Sequence, residues 1–192
     1  NNDLVDEESE INPLNPYGKT KYVIENFLFD IFHSERSKWS IVNLRYFNPV
    51  GAHTSALIGE NPLGRPNNIF PLINKVALGQ LEVFSIFGND WPTSDGTCIR
   101  DYIHVMDIAN GHIEALRYLR NNPSQILNLN LGTGKGTTVL ELIKMFEEVN
   151  DIKIPYIFTS RRSGDSCSVV ADNSKALSLL EWRPEKTLKE MC

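Results

Sequence analysis

Tyr17 and Lys21 stand four residues apart in Tyr17-Gly-Lys-Thr-Lys21, directly after Asn15-Pro16. Asn is a good helix cap and Pro suits the first helical position, so both side chains fall on the first turns of one helix face. A phenol beside an ammonium suits oxidation and reduction of alcohols. The cation lowers the phenol's pKa from about 10, so that its oxygen can take a hydroxyl proton near neutrality. The same spacing arises on any solvated helix edge, and alone it does not choose between the two readings.

Arg100-Asp-Tyr-Ile-His-Val-Met-Asp107 gathers charged and aromatic groups before a helix, where such residues either organise a loop or meet a ligand. Arg161-Arg-Ser-Gly-Asp165 sets two guanidiniums beside a glycine turn, either a diphosphate clamp or surface charge. Gly132-Thr-Gly-Lys-Gly-Thr-Thr138 fits neither G-x-G-x-x-G nor G-x-x-x-x-G-K-[ST]. It reads as a tight strand-to-helix turn ending in the capping box Thr138-Val-Leu-Glu141, not as a phosphate loop. His33, His53, His104 and His112 share no metal-ligand spacing with one another or with Cys, so they take structural or surface roles and no metal is expected. Asn67-Asn68 reads as a helix cap, and Glu147-Glu148 as solvated charge on an exposed helix face.

The elements that must hold these groups follow from periodicity. Ile24, Phe27, Leu28 and Ile31 recur at helical spacing within 17–35, and residues 39–47 are rich in β-formers. Helix then buried strand is the second half of a parallel βαβ unit. Residues 1–14 and 53–68 read as loops. A helix over 69–78, a strand over 83–87 and a loop over 88–101 follow. Asp107 is the expected cap of a helix running to about 120, after which come a strand over 126–131 and a helix over 138–149. A strand over 154–158 and a helix opened by Asp172 or Asn173 and closed before Pro184 complete the series.

The chain has 192 residues, 41% hydrophobic and 22% charged, which allows one good core or parts of two domains. A net charge of −5 with no basic stripe argues against a nucleic-acid partner. No apolar run approaches a membrane span, and the polar, acidic N-terminus is unlike a signal peptide, so no membrane partner is expected. Cys98, Cys167 and Cys192 lack paired spacing and read as reduced thiols of a cytoplasmic protein. A start without Met and an end just inside a new helix are expected of a piece of a longer protein.

Seven segments occur in a fixed order: Asn15-Pro-Tyr-Gly-Lys-Thr-Lys21, Leu44-Arg-Tyr-Phe-Asn-Pro-Val-Gly-Ala-His53, Pro66-Asn-Asn68, Ile86-Phe-Gly-Asn-Asp90, Asp95-Gly-Thr97, Arg100-Asp-Tyr-Ile-His-Val-Met-Asp107 and Arg161-Arg-Ser-Gly-Asp165. Together they resemble the UDP-glucose 4-epimerase family of extended short-chain dehydrogenase/reductases, over essentially the whole chain. The Tyr-x-x-x-Lys segment fits the superfamily broadly. Phe-Asn-Pro-Val-Gly-Ala-His and Arg-Asp-Tyr-Ile-His-Val-Met-Asp are more specific.

The resemblance implies an α/β fold: the C-terminal part of a Rossmann-type NAD(P)-binding fold plus a smaller α/β substrate-binding domain. Residues 1–50 would be the last part of the Rossmann domain, with the catalytic helix and following strand. Residues 51–192 would be mainly the UDP-sugar-binding domain, truncated at its C-terminus. The family's glycine fingerprint for NAD and its catalytic Ser or Thr lie upstream of the matching region.

By resemblance, Tyr17 is the acid–base residue, Lys21 holds the nicotinamide ribose and Phe47 approaches the nicotinamide. Asn48 would contact the sugar nucleotide, and Asn68 and Ile69 its diphosphate and uridine side. Ser85, Ile86 and Phe87 would line the uracil pocket. Arg100 and Arg162 would neutralise the diphosphate, with Tyr102 nearby and Asp165 on the ribose. Val169 stands where some members carry Tyr, which leaves room for an N-acetylated sugar. The implied cofactor is NAD and the implied substrates are UDP-glucose and UDP-galactose, in a homodimer when full length. The 192 residues alone are expected to be inactive. Another reductase, dehydratase or decarboxylase of the superfamily, or a non-catalytic sugar-nucleotide-binding module, remain the competing readings.

Overall fold

Asn15 caps the first helix with its side chain, Oδ1 accepting from the Gly18 N–H at 2.8 Å, and Pro16 fills the first helical position. That helix, α1 (Pro16–Ser34), leads to β1 (Ile41–Tyr46) and β2 (Asn48–Val50). The computed structural model describes residues 4–13, 15–64 and 66–192. Positions 1–3 and 14 of the expected N-terminal loop, and 65 of the expected long loop, lie outside the described residues. Beyond that long loop come α2 (Ile69–Ala77), β3 (Phe84–Phe87), β4 (Ile99–Arg100), β5 (Tyr102–His104) and α3 (Val105–Asn121). Then follow β6 (Ile126–Leu131), β7 (Thr137–Thr138), α4 (Val139–Asn150), β8 (Tyr156–Thr159), β9 (Ser168–Val169), α5 (Ser174–Leu179) and α6 (Leu188–Met191).

Parallel pairing dominates, as an α/β chain with helical crossovers requires. β1 runs beside β6 from Ile41↔Ile126 to Tyr46↔Leu131, β2 beside β5, and β3 beside β8. β4 lies between antiparallel β7 and parallel β9. Two cores result. One joins Phe70 and Ile73 of α2, Ile86 of β3 and Leu142, Ile143 and Phe146 of α4. The other joins Ile108 and Ala115 of α3, Leu129 and Leu131 of β6, and Ala176, Leu180 and Trp182, with Val42 and Leu44 of β1 packed against it. Each fully buried Leu or Ile contributes about 1.5–3 kcal/mol.

The helical period expected for α1 is present, but its apolar stripe is not buried by this chain. Phe32 alone is buried in α1, while Val23 and Phe27 are 63% and 62% exposed. Among the described residues β1 pairs with β6 only, so its other edge is open. Arg45 fastens α1 to β1 from the side: Nε and Nη2 meet Glu25 at 2.9 and 2.6 Å, and Nη1 donates to the Glu7 carbonyl at 3.0 Å. The hydrogen bonds to Glu25 push the Arg45 guanidinium's pKa up. This fork fixes the helix that carries Tyr17 and Lys21.

Sequence expectations need correction at several places, and β4 lies inside the loop expected over 88–101. α3 begins at Val105, not after Asp107, because β5 runs straight into it and His104 becomes the cap, its Nδ1 accepting from the Met106 N–H at 3.0 Å. Asp107 lies instead within the first turn, buried, where the helix dipole favours its charge and it accepts from the Lys186 N–H at 3.0 Å. The His104 ring also sits so close to Gly51 that a Cβ there would come within 2.5 Å, and Gly51 has φ +82°. Next, the strand expected over 154–158 is β8, starting at Tyr156. Ile154 is buried before it, and its N–H goes to the Glu147 carboxylate at 2.8 Å. Glu147 is therefore not solvated charge: α4 ends in a left-handed Asp151, the chain doubles back, and Glu147 satisfies the returning N–H.

Candidate active site

The β2–β5 pairing brings Asn48 opposite Tyr102, and the two share the wall of a cavity of about 280 Å³. Strand alternation then supplies β3: Ser85 and Phe87 turn outward while Ile86 packs into the core behind them. All three line the same cavity. Asn68 and Ile69 enter from the start of α2, and Arg100, Arg162 and Asp165 complete the charged side.

Asn68 holds the cap position of α2 but does not cap it; its Nδ2 donates to Glu60 at 2.6 Å. Asn68 therefore takes the expected cap position without a capping side-chain bond. The N-terminus of α2, carrying partial positive charge, stays without a side-chain acceptor on the cavity wall.

The adjacent arginines separate. Arg161 stacks 3.9 Å over the Trp91 ring and binds the Asp90 carboxylate at 2.8 Å, which draws that carboxyl's pKa down. Arg162 lies 3.8 Å over the Phe87 ring at the cavity. Arg100 is anchored by its Nη1 to the carbonyls of Ile99 and Ser166 at 2.8 and 2.9 Å, and its Nη2 lies 3.6 Å from Asp165. Only one of the expected pair, Arg162, joins Arg100 as a cation of this site. Tyr102 is 4% exposed, and burial pushes its phenol far above the ordinary range, so it stays protonated and keeps its O–H to donate.

Asp101 organises the wall, the first of the two roles that the sequence left open for its segment. Its side chain is 0% exposed, and Oδ1 accepts from the Thr133 N–H and hydroxyl at 2.8 and 2.6 Å. Oδ2 accepts from the N–H groups of Gly134 and Ala171 at 3.0 and 3.2 Å. The glycine-rich turn therefore already holds an anion, the chain's own carboxylate. This agrees with its reading as a turn and leaves no cradle for a phosphate. Between strands β4 and β5, Asp101 faces opposite to Arg100, a placement that the loop expected over 88–101 could not show.

Asn48 also borders a second concavity, of about 430 Å³, with Lys21, Phe47 and Val169. Tyr17, Lys21 and Phe47 line a third, open one of about 1010 Å³ along the free edge of β1. Tyr17 is 72% exposed, and the Lys21 ammonium sits 5.2 Å from its ring centroid. Nearby, the Tyr46 hydroxyl meets His112 Nε2 at 2.6 Å. His112 Nδ1 faces the Ile108 carbonyl at 2.9 Å, so Nδ1 donates and Nε2 accepts. Burial pushes the Tyr46 phenol up, which keeps it a donor. Among the described residues there is no cluster of potential metal ligands, and no helix long and apolar enough to cross a membrane.

The arrangement can hold an anionic tail on one side of Asn48 and offer a hydroxyl to a solvent-facing phenol on the other. The family model described as GDP-mannose 4,6 dehydratase matches residues 1–192. A UDP-glucose 4-epimerase of Cyamopsis tetragonoloba is 50% identical over 186 residues, 97% of this chain and 53% of that protein. The solved UDP-glucose-4-epimerase from Stenotrophomonas maltophila, with bound NAD and formylated UDP-arabinopyranose, is similar with TM-score 0.94 and 47% identity, over 98% of this chain and 55% of that one. That from Bifidobacterium longum, in complex with NAD+ and UDP, has TM-score 0.91 and 44% identity, over 98% and 56%. The chain spans about half the length of the curated relatives it matches. These likenesses agree with the Rossmann-type α/β class and with the epimerase resemblance read from the sequence.

Proposed function

The chain belongs to the GDP-mannose 4,6 dehydratase family, and on that premise we propose that it is the part of a UDP-glucose 4-epimerase bearing the acid–base helix and the sugar-nucleotide pocket. One observation carries the reading: Asn48 borders both the cavity with Arg100 and Arg162 and the concavity with Lys21 and Phe47. A UDP-sugar fits that span with its diphosphate on the arginines and its sugar toward Tyr17. Residues 1–50 then belong to the Rossmann side and most of 51–192 to the substrate side.

Arg100 and Arg162 neutralise the diphosphate, beside Asn68, Ile69 and the uncapped start of α2. Ser85, Ile86 and Phe87 flank the uracil. Asp165, now near Arg100, turns to the ribose, and Tyr102 donates from the buried wall. The nicotinamide end of NAD fits Lys21 and Phe47, whereas the turn at Gly132 offers it nothing because Asp101 fills those N–H groups. NAD, when bound, supplies the reversible oxidant of the sugar's C4 centre. Tyr17 takes the proton of the 4-hydroxyl and returns it after the 4-keto sugar has turned over, with Lys21 beside its ring. Tight binding of the remote UDP lets the sugar move without escaping. Exposed Val23 and Phe27 on α1 support a homodimer of the full-length protein, and three free cysteines support a cytoplasmic setting.

Calorimetry with UDP and the 192-residue chain tests the pocket. The chain is expected to bind UDP, and Arg162→Ala to weaken binding about 10–100-fold, the worth of a hydrogen bond to a charged group. Equal affinity of both proteins would remove the nucleotide reading. Val169 governs substrate range. The full-length protein is expected to turn over UDP-N-acetylglucosamine as well as UDP-glucose, and Val169→Tyr to lower kcat/KM for the acetylated sugar at least about tenfold while sparing UDP-glucose. Turnover of UDP-glucose alone by the unaltered protein would contradict this.

A further inference from the structure

Two of the free cysteines stand just before the paired strands β4 and β9. Ile99 of β4 pairs with Ser168 of β9 in parallel register, and the Ile99 N–H donates to the Cys167 carbonyl at 2.8 Å. The ladder continues with the Asp101 N–H on the Val169 carbonyl at 3.1 Å. Cys98 and Cys167, one step before the first pair, are therefore cross-strand neighbours. Alternation puts Cys98 on the face of Arg100, which lines the nucleotide-side cavity, as Cys98 does. Cys167 shares that face as its register neighbour. Neighbouring strands lie about 4.8 Å apart, within the roughly 4.4–6.8 Å Cα separation that a disulfide spans. Burial pushes the Cys98 thiol up, opposed by the nearby Arg100 and helped by Asp165. Neither thiol has a part in the epimerase chemistry. The third, Cys192, follows α6, where its carbonyl accepts from Asn150 at 3.2 Å.

We propose that Cys98, in the cavity wall, and Cys167, its neighbour across the strand pair, form a dithiol that is a modification site for small disulfide oxidants. Cys167 thiolate attacks one sulfur of glutathione disulfide and expels one glutathione thiolate, leaving a mixed disulfide. Cys98 thiolate then attacks the Cys167 sulfur and expels the second glutathione. Two protein thiols lose two protons and two electrons, and the reagent is reduced to two thiols. Cys98 comes second because burial makes it the poorer first nucleophile. The link ties the segment carrying Arg162 and Asp165 to β4 beside Arg100.

Peptide mass mapping of the native 192-residue chain, treated with glutathione disulfide and then alkylated, tests this without any variant. The expected product is one linked Cys98–Cys167 peptide pair, lighter than the two free peptides by both thiol hydrogens. Cys192→Ser keeps that link. Cys98→Ser loses it and leaves Cys167 as a glutathione adduct, whereas Cys167→Ser loses it and leaves Cys98 slow to react. Recovery of Cys98 and Cys167 as separate adducts in the unaltered chain, or a link from either to Cys192, would overturn the proposal.

Discussion

Asp101→Ala is expected to lower the stability of the chain by at least about 3 kcal/mol, the scale of breaking a buried charged contact. The carboxylate is fully buried and receives three backbone N–H groups and one hydroxyl, from positions 133, 134 and 171. Alanine leaves those donors without acceptors in a dry site, and each orphan costs about 1–3 kcal/mol. Water entering the space recovers part of this. Asp101→Asn also destabilises, since its amide nitrogen must face an N–H donor at one of the two oxygen positions. Urea unfolding of the chain gives the number. A loss below about 1 kcal/mol would show that the turn and β9 do not depend on this carboxylate.

Tyr17→Phe in the full-length protein is expected to cut kcat about 10²–10⁴-fold, the usual worth of a positioned acid–base group. UDP affinity should not move, because Tyr17 lies outside the cavity that Arg100 and Arg162 line. The split identifies a group acting on the reacting hydroxyl and not on the anchor. A variant retaining more than about a tenth of the activity would pass the proton-transfer role to another group. Tyr102 is a poor substitute, since burial keeps it protonated. Tyr46 is held as a donor to His112.

Local chemistry was legible in the sequence. Asn15 caps α1, and the Thr138–Glu141 capping box opens α4 as expected, because such contacts span three residues. β6 begins and ends where alternation placed it. Features decided over long range were not legible. The partners of Asp101 come from segments 32 to 70 residues away, so its burial could not be inferred from its neighbours. His104 displaced Asp107 as a cap because β5 passes directly into α3, a geometry that no cap preference encodes. Arg161 and Arg162 are adjacent and chemically identical. Only the placement of Trp91, Asp90 and Phe87 sorts one to the surface and one to the cavity. The stripe on α1 had the right period, but burial of a face depends on what packs against it.

Resemblance and chemistry together named the candidate residues, and one cavity gathers those proposed for the nucleotide while Asn48 joins it to the Lys21 and Phe47 side. The most direct test is to supply the full-length protein with UDP-galactose, or with UDP-glucose, and catalytic NAD, and to follow both sugars and the cofactor together. Either sugar should give the same equilibrium mixture, with NAD neither consumed nor accumulated as NADH. Stoichiometric NADH, a dehydrated or decarboxylated product, or no interconversion by protein with NAD bound would contradict a 4-epimerase.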